Sequence, residues 1–254
     1  MLLERRKLIK LMAGSAAVSL LPTTLLVNAV QKKRIKAIAF DAFPIFDPRP
    51  VFVMVEKYFP GNGKALGNAW KTRQFEYQWL RALSGQYVDF WQASEEGLLF
   101  AVKQLKLKMS AEQRTQLMNA YLNLKPWPDV VPALKQLKAL DIKLVFLSNM
   151  TEKMLVTNMN NSGIGKYFDH VISTDSAKTY KPAANAYQLG VDTLNLKREE
   201  IVFAAFAGWD VAGAKWFGYP TFWVNRAGFP DEELGVKPDG MGKSLTQLVD
   251  FVKT

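Results

Sequence analysis

Five polar side chains stand where apolar runs stop. Asp41 follows Ile35-Lys36-Ala37-Ile38-Ala39-Phe40, Ser148-Asn149 follows Lys143-Leu144-Val145-Phe146-Leu147, and Asp210 comes shortly after Ile201-Val202-Phe203-Ala204-Ala205, with Lys181 in a loop nearby. An aspartate directly after a buried strand can act as a nucleophile when an ammonium group keeps it ionised, and Lys181 could supply that charge. Asp210 could then orient the lysine or a water molecule. A lysine–aspartate cluster that only caps helices would use the same residue types, so types alone leave both readings open. Composition narrows the field. The chain has no cysteine, which excludes disulfides, thiolate metal sites and a cysteine nucleophile. Its single histidine, His170, excludes a multi-histidine metal cluster and leaves one imidazole for any Ser-His-Asp arrangement. His170 follows Phe168-Asp169 at the start of a strand and reads as structural or surface. No Gly-x-Ser-x-Gly elbow is present.

The elements that must carry these residues alternate. Helices are expected over 130–139, 151–161, 183–194 and near 210–217, and strands over 143–147, 170–173, 201–205 and 221–224. A Gly/Pro-rich loop over 227–243 leads to a short terminal helix. This alternation implies a doubly wound parallel sheet, in which ligands bind beyond the carboxyl ends of the strands. Residues 44–50, with three prolines, read as turns, and 51–124 as a helical insert after the first strand. The domain boundaries expected are a leader over 1–29, a core over 30–50 and 125–254, and a helical cap over 51–124. Gly61, Gly63 and Gly67 read as a loop, because no strand precedes them and the spacing is wrong for a nucleotide fingerprint. Pro126-Trp127-Pro128 reads as a hinge. Phe43, Phe46, Trp70, Tyr77, Trp79 and Trp91 are candidates for an apolar pocket under the insert, with Trp79 and Trp91 more readily core.

The net charge is +10, and hydrophobic residues make up 49% of the chain, enough for a substantial core. Residues 1–29 carry Arg5, Arg6, Lys7 and Lys10 against Glu4, a net of +3, which leaves +7 on the remainder. The remaining basic residues are scattered, with no basic and aromatic run of the kind that grips nucleic acid, so no nucleic-acid partner is expected. A basic surface would instead favour a small anionic substrate. Twin arginines precede a moderately apolar stretch from Leu11 to Ala29 that ends in Val27-Asn28-Ala29, with small residues spaced for signal peptidase. This resembles a twin-arginine export signal and implies a periplasmic protein that meets the membrane only during export. An uncleaved anchor facing the periplasm is the alternative.

Four ordered motifs carry a family resemblance: Phe40-Asp41-Ala42-Phe43, Leu147-Ser148-Asn149, Tyr180-Lys181-Pro182 and Gly208-Trp209-Asp210-Val211-Ala212-Gly213-Ala214-Lys215. Together they resemble the haloacid dehalogenase superfamily. Glu76-Tyr77-Gln78-Trp79-Leu80-Arg81-Ala82-Leu83, Asp89-Phe90-Trp91 and Trp223-Val224-Asn225-Arg226 are similar to the L-2-haloacid dehalogenase branch. The resemblance implies a Rossmann-like core with a helical cap. It also implies hydrolysis of a short 2-halo acid, with Asp41 attacking C2, expelling halide and forming an aspartyl ester that water then cleaves. It implies Lys181 paired with Asp41, Ser148 on the substrate carboxylate, Asn149 and Trp209 cradling halide, and Tyr187 lining the site. Asp210 would orient Lys181 and help activate the water, and Lys71 would stand at the halide-abstracting arginine. No cofactor and no metal are implied, and homodimers through the insert are common in the family.

Several positions depart from that pattern. Pro44-Ile45 replaces Gly-Thr and so removes a backbone N–H and a hydroxyl. Lys71 keeps the charge of arginine and loses its planar fork. Arg73 falls on another face of the helix. Ala205 and Ala207 replace a serine and an asparagine that help hold the lysine and the water. An exported, non-catalytic binding protein on the same scaffold therefore stands as the alternative. A phosphatase is less favoured, since the second aspartate that phosphatases of this superfamily place two residues after the nucleophile is here Phe43.

Overall fold

The structure is a computed structural model that describes residues 35–253. The leader expected over 1–29 lies outside the described residues. In chain order the elements are β1 (Ala37–Phe40), the single helical turn α1 (Ala42–Ile45), β2 (Phe46–Asp47), α2 (Arg49–Tyr58), α3 (Gly63–Ser84), α4 (Phe90–Gln104) and α5 (Ala111–Ala120). Then come β3 (Lys125–Pro126), α6 (Val130–Ala139), β4 (Lys143–Ser148), α7 (Glu152–Ser162), β5 (His170–Ser173), α8 (Ala184–Leu194), β6 (Ile201–Ala205), α9 (Gly208–Phe217), β7 (Thr221–Val224), β8 (Gly240–Gly242) and α10 (Leu245–Lys253).

Six strands form one sheet in the order β5-β4-β1-β6-β7-β8, and every pairing is parallel. A parallel sheet is covered on both faces, so its strands are apolar throughout and alternate residues feed two cores. Ile38, Phe40, Leu144, Phe146, Val202 and Ala204 point into one core with Leu134 and Leu137 of α6, Met154 and Leu155 of α7 and Leu248 of α10. Ala37, Ala39, Val145, Leu147, Phe203 and Ala205 point into the other, with Tyr187 and Leu194 of α8 and Val211 and Phe217 of α9. His170 is exposed.

Helices α2 to α5 leave the core after β2 and return at β3. These two short strands pair antiparallel, Phe46 with Pro126 and Asp47 with Lys125, and so stitch the two ends of the insert together. The segment expected to be a hinge is thus partly a strand, and the turn-rich stretch 44–50 is built from α1, β2 and the start of α2. Local capping sets several boundaries. Asp89 accepts from Gln92 N–H at the start of α4, and Ser110 and Gln113 form a capping box on α5. The glycine loop is corrected in part. Gly61, at φ +76°, is a loop residue, whereas Gly63 and Gly67 lie in α3. Side chains there would run into Glu56 and Phe52 of α2, so these glycines permit the close approach of the two helices. Strand β8 lies within the stretch expected to be loop. Its Gly-Met-Gly sequence carries no apolar alternation to announce it.

Candidate active site

β4, β1 and β6 are adjacent, with Phe40 opposite both Phe146 and Ala204, so their carboxyl ends lie side by side at the centre of the sheet. Asp41 begins the turn directly after β1, Ser148 closes β4, and Asp210 lies in the first turn of α9 after β6. Lys181, only 1% exposed, bridges the two carboxylates. Its Nζ is 2.9 Å from Asp41 Oδ1 and 2.5 Å from Asp210 Oδ2. It also lies 4.9 Å from the centre of the Phe203 ring. Burial pulls the Lys181 ammonium toward neutrality, but the charges of Asp210 and Asp41 outweigh it and its pKa is raised. For Asp210, burial is the leading cause and pushes its pKa up to about 6 against the pull of Lys181.

The hydrogen bonds on Asp41 are unequal. Oδ1 accepts from Lys181 Nζ and from Ser148 Oγ at 3.1 Å. Oδ2 accepts only a long bond, 3.3 Å, from Phe43 N–H. The Ser148 hydroxyl thus covers the Asp41 carboxylate, where Ile45 offers none. On Asp210, Oδ1 accepts from the Tyr187 hydroxyl at 2.7 Å. Tyr187 is fully buried, so in this structure it supports Asp210 from below. Tyr187 and Ser148 thereby bring hydroxyls to a site where Ala205 and Ala207 have none.

Asn149 links the site to the insert. Its Oδ1 accepts from Lys181 N–H at 2.9 Å and from the Thr174 hydroxyl at 3.2 Å. Its Nδ2 donates to Gln78 Oε1 at 3.3 Å. Trp209 packs edge-on against Phe75 and Trp79 of α3, with ring centres 5.5 Å apart in each case. Trp79 Nε1–H donates to the Lys181 carbonyl at 3.1 Å, which fastens this aromatic wall to the Lys181 loop. Of the other aromatic candidates, Phe43 leans on Phe206 at 5.9 Å. Phe46 and Trp70 are fully buried, and Trp70 donates to the Ser94 carbonyl. Tyr77 packs on Phe100 within the insert, and Trp91 is partly buried against the main core.

Lys71 is not gathered with these groups. It is exposed on α3 and lines an open groove of about 470 Å³ with Arg49, Phe52, Glu56, Lys64 and Asn68. Arg73 is engaged elsewhere, paired with Glu76 at 2.9 Å and stacked over Phe100 at 4.0 Å.

Two further sets of residues had no role assigned from sequence, although Gln78 and Arg226 fall in the family-like motifs and Trp127 in the expected hinge. Gln78 and Phe75 belong to the first. A polar residue on the buried face of a helix is the signal for Gln78, since Gln74 and Gln78 are one turn apart and both buried. The second holds the turn after Asp41. Arg226 Nη2 donates to the Pro44 carbonyl at 2.8 Å while its guanidinium grips Asp129 at 2.9 and 3.1 Å. Trp127 donates from Nε1 to the Phe43 carbonyl and from its backbone N–H to the Ile45 carbonyl, both at 3.0 Å.

A carboxylate with one lightly bonded oxygen, a buried lysine behind the other and a second aspartate beyond can carry out covalent hydrolysis. The haloacid dehalogenase-like hydrolase family matches residues 26–218. The chain belongs to that family. It is 42% identical over 221 residues to haloacetate dehalogenase H-2 of Moraxella sp. (strain B), a match that covers 87% of this chain and 99% of that one. It is 38% identical to the (S)-2-haloacid dehalogenase of Pseudomonas sp. (strain YL), covering 87% and 95%. Among solved structures, the L-2-haloacid dehalogenase of Xanthobacter autotrophicus with chloropropionic acid covalently bound superposes with a TM-score of 0.79 at 31% identity, covering 86% and 98%. Among the described residues of this haloacid dehalogenase-like hydrolase, no three His, Cys, Asp or Glu side chains group to hold a metal ion. The space between Asp41 and Asp210 is taken by the Lys181 ammonium.

Proposed function

We propose that this hydrolase acts on carbon–halogen bonds of short 2-halo acids, haloacetate included, through an ester on Asp41. The observation that carries the mechanism is the asymmetry of the Asp41 carboxylate. Oδ1 is tied to Lys181 and Ser148, while Oδ2 has one long bond and keeps its lone pairs for attack. Oδ2 displaces halide from C2 in line, so a stereogenic C2 inverts. The C2–Oδ2 bond forms as the carbon–halogen bond breaks, and the halide leaves with the electron pair.

Oδ1 then becomes the ester carbonyl oxygen, already facing the Lys181 ammonium and the Ser148 hydroxyl. Those two donors stabilise the oxyanion that develops when water attacks the Asp41 carbonyl carbon. Asp210, ionised above about pH 6, holds Lys181 and helps draw the proton from that water. The products are a 2-hydroxy acid, halide and a proton, and Asp41 is regenerated. Ser148 serves the nucleophile in this scheme; Asn149 and Trp209 serve the halide. The support is the triad's geometry together with the kinship to proteins named as dehalogenases of these acids.

The leader belongs to the same reading. Arg5 and Arg6 before the apolar stretch support export by the twin-arginine route to the periplasm. Replacing both by lysine should leave the protein in the cytoplasm on cell fractionation.

The test of the chemistry is halide release by protein lacking residues 1–29 from each enantiomer of 2-chloropropionate, from chloroacetate and from bromoacetate, with Asp41→Asn as control. Release from one enantiomer, lost in the control, is expected. A single turnover in ¹⁸O-water should put the label first into Asp41 and not into the hydroxy acid. Equal release by Asp41→Asn, or label directly in product, would refute the covalent scheme.

A further inference from the structure

Gln78 is fully buried, and its Nε2 is one of very few buried side-chain polar atoms among the described residues without a hydrogen-bond partner. Its orientation is not arbitrary. Asn149 Oδ1 accepts from the Lys181 backbone N–H, which can only donate, so Asn149 must present Nδ2 to Gln78. Gln78 must then answer with Oε1, and its Nε2 is left over. The two carboxamides carry four N–H bonds between them, and the bond from Asn149 to Gln78 uses one. Three N–H donors therefore stand together in a buried place beside the catalytic triad. Gln78 also lies on the same stretch of α3 as Phe75 and Trp79, which meet Trp209 across the site. A buried donor left unpaired is costly unless an acceptor reaches it, and a cluster of donors with no acceptor is suited to an anion.

We propose that Gln78 Nε2, beside Asn149 Nδ2, binds the departing halide and is a further catalytic residue of this enzyme. It takes the place that the sequence offered to Lys71, which the fold turns to solvent on the α2–α3 groove. The inference rests on the dehalogenase reading above. Its chemical consequence is confined to one step. Halide leaves while the ester forms, and it is gone when water cleaves the ester. A donor to the halide speeds the first step and not the second.

The two steps are separable by rapid quench and intact mass, which counts the adduct on Asp41 as bromoacetate or (S)-2-chloropropionate is consumed. In Gln78→Met, ester formation should slow about ten- to hundredfold while hydrolysis of the ester already formed is unchanged. Inhibition of bromoacetate turnover by added chloride should weaken by a similar factor. Gln78→Glu keeps an oxygen for Asn149 Nδ2 and removes the amide donor, so it serves where the methionine variant fails to fold. Its ester formation should be slow and should slow further as pH rises and the new acid ionises.

Ester formation at the wild-type rate in either folded variant, with chloride inhibition intact, would overturn the role of Gln78 and leave the dehalogenase reading standing. So would equal slowing of both steps, which marks a purely structural residue. Wild-type protein that forms no adduct and releases no halide would overturn both.

Discussion

Tyr187→Phe removes one hydroxyl from beside the Lys181–Asp210 pair. The hydroxyl it removes donates to Asp210 Oδ1 at 2.7 Å, and the ring it keeps packs on Phe217 and Phe203 with centres 5.7 and 5.4 Å apart. Burial holds the Asp210 pKa up at about 6, with the Lys181 charge and the Tyr187 bond opposing. The Tyr187 bond favours the ionised form, so its loss raises that pKa further. A hydrogen bond to a charged group is worth about 1.5–3 kcal/mol, and 1.36 kcal/mol corresponds to one pKa unit. Lys181 remains 2.5 Å away on the other oxygen and limits the change, so a rise of about one unit is expected, from about 6 to about 7. If Asp210 must be ionised, halide release rises with pH through its pKa. The acid limb of kcat/KM should therefore move about one unit to higher pH in the variant, with the plateau above it nearly kept. Thermal unfolding should show a loss of about 1–2 kcal/mol, or several degrees in Tm for a domain of this size. An acid limb that stays in place, or moves to lower pH, would refute the assignment of that limb to Asp210.

Other perturbations address the remaining contacts. Lys181→Met leaves two buried carboxylates facing each other without their cation; activity should vanish and urea unfolding should show a loss of about 3–5 kcal/mol. Ser148→Ala removes one donor from Asp41 Oδ1, so ester hydrolysis should slow about 100-fold and the Asp41 adduct should accumulate in the mass spectrum. Arg226→Met strips the clamp from the Pro44 carbonyl and strands part of Asp129, which should cost about 3 kcal/mol in unfolding and lower kcat more than it raises KM.

The sheet was legible because its strands are buried on both faces. Runs such as Lys143–Leu147 and Ile201–Ala205 have no polar interruption, and each is followed by a helix of opposite periodicity. β8 escaped because Gly-Met-Gly has neither run nor alternation, and its place at the sheet edge follows from tertiary pairing with β7. Gly63 and Gly67 misled for a related reason. Glycine is a loop signal locally, and only the packing of α2 against α3 makes it a helix residue. The triad was legible by position, since each member follows a strand end or sits in a loop beside one. Lys71 shows the limit of that logic. Sequence position puts it on the α3 face that also carries Phe75 and Trp79, but two turns earlier than Trp79 that face borders the α2–α3 groove, and there Lys71 is exposed.

The missing family hydroxyls and amide are best weighed by what the two carboxylates would lack without them. A buried carboxylate without donors is costly, so the question is whether any oxygen of Asp41 or Asp210 goes short. None does. Ser148 and Lys181 meet Asp41 Oδ1, Phe43 N–H meets Oδ2, Lys181 meets Asp210 Oδ2, and Tyr187 meets Asp210 Oδ1. The same reasoning covers Pro44. It has no N–H to offer, yet the turn it belongs to is held from the other side, by its carbonyls. Arg226 takes the carbonyl of Pro44, and Trp127 takes those of Phe43 and Ile45. Lys181, Ser148 and Tyr187 therefore satisfy the two carboxylates without the hydroxyl and amide that Ala205 and Ala207 lack.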